Sequence, residues 1–222
     1  MPTPSVVGTP ATGSSSTGTI TANITITTDA NSCLKVGIAH DDVAATVSSV
    51  TGAGCVFTQT GTIKHPNSER RVDLWAAPVV STGAQTITVV LSAAVGCDIG
   101  VQQYKDANQT DPIPASTWVT NTGSSTTATV SGTAASGELG QAVAGTNRVF
   151  SAPTQTQEYN SGSNFSSAAS WANGTGSSIT HQWTLDVTGE WMMGFAIVKP
   201  VSGSGGGGPY QVLYGPRVPR WV

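Results

Sequence analysis

From Thr19 onward the chain alternates. Ile20, Ala22, Ile24 and Ile26 fall on one side of an extended backbone, and Thr21, Asn23, Thr25 and Thr27 on the other. That period of two predicts a strand with one buried face. Similar segments follow. Residues 34–39 are apolar enough for a central strand, and 43–50 and 56–60 are shorter candidates separated by Gly52-Ala53-Gly54. Residues 72–77 end at Pro78, 85–92 follow a tight turn at Thr82-Gly83-Ala84, and 99–104 read as a further strand. The polar runs 64–71 and 106–114 read as loops. The series continues at 118–120, 126–131 and 138–144, and 151–178 reads as the longest irregular region. Strands resume at 178–187, with Trp183, Leu185 and Val187 on one face, and at 190–198, apolar on both faces as a central strand should be.

About a dozen short strands without a helical period predict an all-β fold, an antiparallel β-sandwich or jelly roll. Residues 1–18 are rich in Pro, Thr, Ser and Gly and lack a core pattern, so they are expected to form an extended N-terminal arm. The sandwich is expected over 19–200 as one domain. A split near 112–115 is the alternative, although neither half shows a separate core. Residues 201–208 read as a Gly/Ser linker, and 209–222 as a C-terminal docking tail.

Composition sharpens this picture. Only 9% of the 222 residues are charged, against roughly 25% in ordinary soluble proteins. With abundant Ser, Thr and Gly, that is the balance of an extracellular or virion β protein. Disorder is disfavoured, because the net charge is only −3 and β-branched residues recur in runs. The charges are segregated. Residues 191–222 hold Lys199, Arg217 and Arg220 and no acid, so the first 190 hold six cations against twelve acids. A basic tail suits an acidic neighbour, including another copy of the body. No basic stripe with interleaved aromatics points to nucleic acid, and no apolar run has the length of a membrane span. The start lacks a signal-peptide pattern, so synthesis in a host cytoplasm is expected. Cys33, Cys55 and Cys97 allow at most one internal pair, and reduced buried thiols are the default expectation.

The order of segments is also informative. Pro4-Ser5-Val6-Val7-Gly8-Thr9 precedes the Thr/Ile strand. Leu34-Lys35-Val36-Gly37-Ile38-Ala39, Val72-Asp73-Leu74-Trp75-Ala76-Ala77-Pro78 and Gly83-Ala84-Gln85-Thr86-Ile87-Thr88-Val89 follow. Tyr104 then precedes Asp111-Pro112-Ile113, and a Trp191-to-Pro200 strand closes the series. Over residues 4–200 the chain resembles a jelly-roll-like β-sandwich domain of bacteriophage virion proteins, decoration or fibre components, also found in bacterial surface or secreted proteins. The resemblance implies a display or assembly module and brings no active-site residues with it.

The search for chemistry gives little. His40-Asp41-Asp42 and the 106–111 loop carry oxygen ligands but too few for a calcium site, so no metal and no cofactor are expected. No nucleophile elbow, zinc motif or phosphate loop is present. Glu138, Glu158 and Glu190 lie in no signature and read as surface glutamates. Catalytic residues are therefore not expected, and the chain is not read as an enzyme. The expected function is a virion structural protein, a capsid decoration or cementing protein that docks through its terminal segments. Its expected partners are the major capsid protein, other virion proteins and further copies of itself, as a homo-oligomer. The docking anchors are Tyr210, Leu213, Tyr214, Arg217, Arg220 and Trp221. The alternative is a carbohydrate- or receptor-binding module of a tail fibre or bacterial surface protein. Trp118 and Trp171, next to loops, would then be the glycan-contact residues, whereas Trp183 and Trp191 belong in the core.

Overall fold

The structure is a computed structural model that describes residues 2–161 and 166–201. Eight strands make up the first half: β1 (Ser5–Ser15), β2 (Thr19–Ile26), β3 (Cys33–His40), β4 (Val47–Thr51), β5 (Thr58–Lys64), β6 (Arg71–Pro78), β7 (Gly83–Leu91) and β8 (Cys97–Lys105). A 3-10 turn at Ala115–Thr117 leads into the second half. There follow β9 (Val119–Thr133), β10 (Leu139–Thr146), β11 (Phe150–Ser151), β12 (Thr156–Asn160), β13 (Ser166–Asn173) and β14 (Ser178–Val198).

The first eight strands form two sheets, ordered β1-β8-β3-β6-β5 and β2-β7-β4. The antiparallel pairs β1–β8, β2–β7 and β3–β6 are nested within one another, the arrangement of a jelly roll. One strand departs from strict nesting: β5 pairs with β6 and so extends the larger sheet. The alternation seen in the sequence sets the packing. Ile20, Ile24, Ile26, Ile87 and Val89 of the smaller sheet meet Leu34, Val36, Ile38, Ile99 and Val101 of the larger. Thr21, Asn23 and Thr25 face solvent.

The second half lies on the other face of the five-stranded sheet. Its strands run β11-β14-β10-β13-β12, with β9 also on β14. Cys33, Ala39, Leu74 and Tyr104 from the first half share one apolar core with Leu139, Val143, Ala169 and Met192 from the second. β14 has a register shift between Thr184 and Gly189, and such an irregularity lets a long strand bend. Its first part packs Ile179, Trp183 and Leu185 against Ala142, Ala144 and Phe195 on the outer side of the same sheet. The five-stranded sheet is thus covered on both faces, which explains why all eight residues of β3 are buried.

Several expectations change. Residues 1–18, expected as an extended N-terminal arm without a core pattern, contain β1, an edge strand paired along β8 from Ser5↔Lys105 to Ser15↔Cys97. Its outward faces are polar enough to hide the pattern. Of the expected strand 118–120, residues 119–120 belong with 126–131 to one strand, and 178–187 and 190–198 likewise form one. Val187, expected on the buried face with Trp183, is exposed because it falls in the register shift. Two strands, β12 and β13, run through the region expected to be irregular. β13 reads Ser-Ser-Ala-Ala-Ser-Trp-Ala-Asn. Ala168 faces the outer core and Ala169 the shared one, so it is a central strand built of small side chains.

Candidate functional site

The docking anchors Tyr210, Leu213, Tyr214, Arg217, Arg220 and Trp221, with linker residues 202–208, lie outside the described residues. The structure does show where the body hands over to them. Past β14, the Lys199 amide donates to Pro112 O (2.9 Å) and the Val201 amide to Asp106 O (2.8 Å). Ala107 bridges Pro200, and Lys199 Nζ pairs with Glu138 Oε1 at 2.5 Å. The chain is therefore held on the 106–112 loop up to residue 201.

Within that loop the Asn108 side-chain oxygen is used internally. Asn108 Oδ1 accepts from the Thr110 and Asp111 amides (2.8 and 3.0 Å). Thr110, Asp111, Pro112 and Ile113 form one wall of a cleft of about 330 Å³, with Thr58 and Gln59 of β5 opposite. His40-Asp41-Asp42 diverges. His40 is buried with Nε2 3.3 Å from Asp73 Oδ2, Asp41 faces Arg70 at 3.4 Å, and Asp42 accepts from the Ala44 amide. Among the described residues no group of three or more His, Cys, Asp or Glu side chains is placed to hold a metal ion.

The two glycan candidates are both half-buried. The Trp118 ring lies against Gly61 of β5 and Gly194 of β14, where a Cβ would sit within 2.5 Å of it. Its indole N–H donates to Thr62 O (3.1 Å). Thr60 Oγ1 donates to Ile113 O (2.9 Å). Together these contacts cover the outer edge of β5, which would otherwise present unpaired backbone groups. Trp171 pairs across β13 with Gln141 and Thr156 and packs on the shared core. Both rings are thus engaged in packing between elements. Trp183 and Trp191 are core residues, as expected.

The three glutamates each meet a cation: Glu138 meets Lys199, Glu190 meets Arg70 and Glu158 meets Lys35. The last pair corrects the reading of Glu158 as a surface residue. The β3–β8 register places Cys33 opposite Tyr104, Lys35 opposite Gln102 and Gly37 opposite Gly100, all on the face toward the second half. Glu158 and Tyr159 descend onto this face from β12. Both side chains of the Lys35–Glu158 pair have zero exposure. Lys35 Nζ hydrogen-bonds Glu158 Oε2, and the Tyr104 hydroxyl donates to Oε1. The rings of Tyr104 and Tyr159 flank Nζ, with centroids at 5.8 and 5.5 Å. Gly37 and Gly100 make room: a Cβ on Gly100 would lie 2.1 Å from the Tyr159 ring.

Burial dominates the titration here. It pulls the Lys35 ammonium below its ordinary range despite the attraction of Glu158. Burial and the Glu158 charge push the Tyr104 hydroxyl well up. Burial likewise raises the Cys33 thiol, so that cysteine is a poor nucleophile. All three cysteines are free thiols.

A second buried cluster lies at one end of the opposite face. Arg71 Nε and Nη2 grip Asp73 (2.9–3.0 Å), and Gln59 Nε2 adds a bond at 2.8 Å. Burial would raise this carboxyl, but the His40 and Arg71 hydrogen bonds and the Arg71 charge leave it below its usual range. Beneath the outer layer, the His181 ring accepts or donates at Ser170 Oγ (2.8 Å). Burial, with Lys35 adding to it, lowers its pKa to about 4.

The sequence carried one signal for the Lys35 cluster. A lysine in an otherwise apolar central strand must either reach water or find a buried partner. Glu158 could not be found this way, because β12 has no legible strand pattern. Searches against family models, curated proteins and solved structures returned no match to this chain.

Proposed function

We propose that the chain is a phage-type virion structural protein, a capsid decoration or cementing protein that docks through its C-terminal segment. The observation that carries this reading is the break at residue 201. A layered β body is tied off by the 106–112 loop, and the sequence then changes to a Ser/Gly tract followed by Tyr210, Leu213, Tyr214, Arg217, Arg220 and Trp221. A Ser/Gly composition is that of a tether, and aromatic and arginine side chains are the usual anchors of an interface. The cations of the tail complement the acidic excess of the body. The partner is accordingly the major capsid protein, another virion protein or a neighbouring copy, since symmetric shells repeat one contact many times. β1 is paired along β8 at the edge of the body sheet, so the reading is carried by the C-terminal segment.

The glycan-binding alternative loses support from the packing roles of Trp118 and Trp171. The reading is tested by sedimenting particles of the virus that encodes the chain through a density gradient and identifying their proteins by mass spectrometry. The chain should travel with intact particles in a fixed ratio to the shell protein. Its absence from washed particles would overturn the proposal.

A further inference from the structure

The buried Lys35–Glu158 pair joins β3 of the jelly roll to β12 of the outer sheet, 123 residues apart in sequence. As an ion pair it is poorly provided for. An ammonium carries three donors, and among the described residues the hydrogen-bond acceptor found for Lys35 Nζ is Glu158 alone. Removing two full charges from water also carries a large desolvation penalty. An amide in the same place needs one donor and one acceptor, and the Tyr104 hydroxyl already serves the acceptor.

We propose that Lys35 and Glu158 are joined by an intramolecular isopeptide bond, formed by condensation of the lysine amine with the glutamate carboxyl. The step balances within the pair. The ammonium passes one proton to Oε2, giving a neutral amine and a neutral acid. Nζ attacks Cδ, and a tetrahedral centre forms. A second amine proton moves to Oε2, the Cδ–Oε2 bond breaks and water leaves. Nζ keeps one hydrogen as the amide N–H, and Oε1 becomes the amide carbonyl. No oxidant, metal or cofactor enters the balance. The Tyr104 hydroxyl donates to Oε1 and is placed to stabilise the charge that gathers there. The fold supplies the proximity that makes such a reaction fast relative to its bimolecular counterpart. The flanking Tyr104 and Tyr159 rings keep out the water that would reverse it. Lowering of the Lys35 pKa by burial favours the neutral nucleophile.

This inference is independent of the proposed function, since it concerns the body alone. The test is mass spectrometry of the full chain. The intact protein should be lighter than its sequence by one water. Tryptic digestion after denaturation should give a branched peptide joining the Lys35 and Glu158 segments, with no cleavage after Lys35. A Lys35→Met variant should show its full sequence mass, and Tyr104→Phe should lower the fraction cross-linked. If Lys35→Met fails to fold, the branched peptide of the unaltered chain decides the matter. Ordinary cleavage after Lys35 in folded, aged protein, with the full sequence mass, would overturn the proposal.

Discussion

At the scale of single residues, the fold depends on a few places where a side chain was removed to admit another. Gly37 and Gly100 sit opposite each other, and the Tyr159 ring fills the space above them. Gly100→Ala is expected to cost about 1–3 kcal/mol, the range for overpacking a tight core, read as a lower urea midpoint. A Tyr159→Leu change in the same chain should recover part of the loss. His181 offers a pH test with a definite sign. Unfolded, the imidazole titrates at its ordinary 6.5; folded, it stays neutral down to about 4. The unfolded state binds more protons between those values, so stability falls as pH drops through that window. The group's effect is complete below it and amounts to at most about 3 kcal/mol. Denaturant midpoints measured from pH 7 to pH 4 should show the decline, and His181→Gln should flatten it. An unchanged slope in the variant would exclude His181 as the source. None of these pairings could be read from the sequence. Glu158 and Tyr159 meet residues of β3 and β8, and His181 meets Ser170 of β13; alternation reports which face a residue occupies but not what lies across from it.

At the scale of elements, the strands with strong alternation were legible. β2, β3, β6, β7 and β8 fall where Ile, Val and Leu recur at every second position. The missed strands share a physical cause. β1 is an edge strand whose residues are mostly exposed or half-buried, so it carries little hydrophobic signal. β13 is buried but made of Ser and Ala, because it is covered on both faces at close range. β14 is one strand of 21 residues interrupted by a bulge, which breaks the alternation and makes it read as two. The status of β1 is testable. Deleting residues 1–18 strips the edge from β8 and should lower the unfolding midpoint or render the protein insoluble. A dispensable arm would leave the midpoint of the described body unchanged.

At the scale of the molecule, the all-β class and the jelly-roll-like character followed from the spacing of strands and turns. The stacking of a further sheet on the roll did not. It depends on which faces of the central sheet are covered, and β8 carries Asp98, Gly100 and Gln102 on the face that the second half buries, a set that reads as solvent-facing in the sequence. Each half has an apolar core of its own, and a third core is shared between them; the sequence did not show the second half's, because Ala128, Ala134, Ala142, Ala144 and Ala168 supply much of it and carry little hydrophobic signal. The tail was legible only as composition, and its role is the central claim. Purified particles stripped of the protein should be incubated with the full chain or with a chain ending at Val201, and bound protein measured after sedimentation. The account predicts that the truncated chain keeps the unfolding midpoint of the full chain yet fails to bind. Equal binding by the two chains would contradict it.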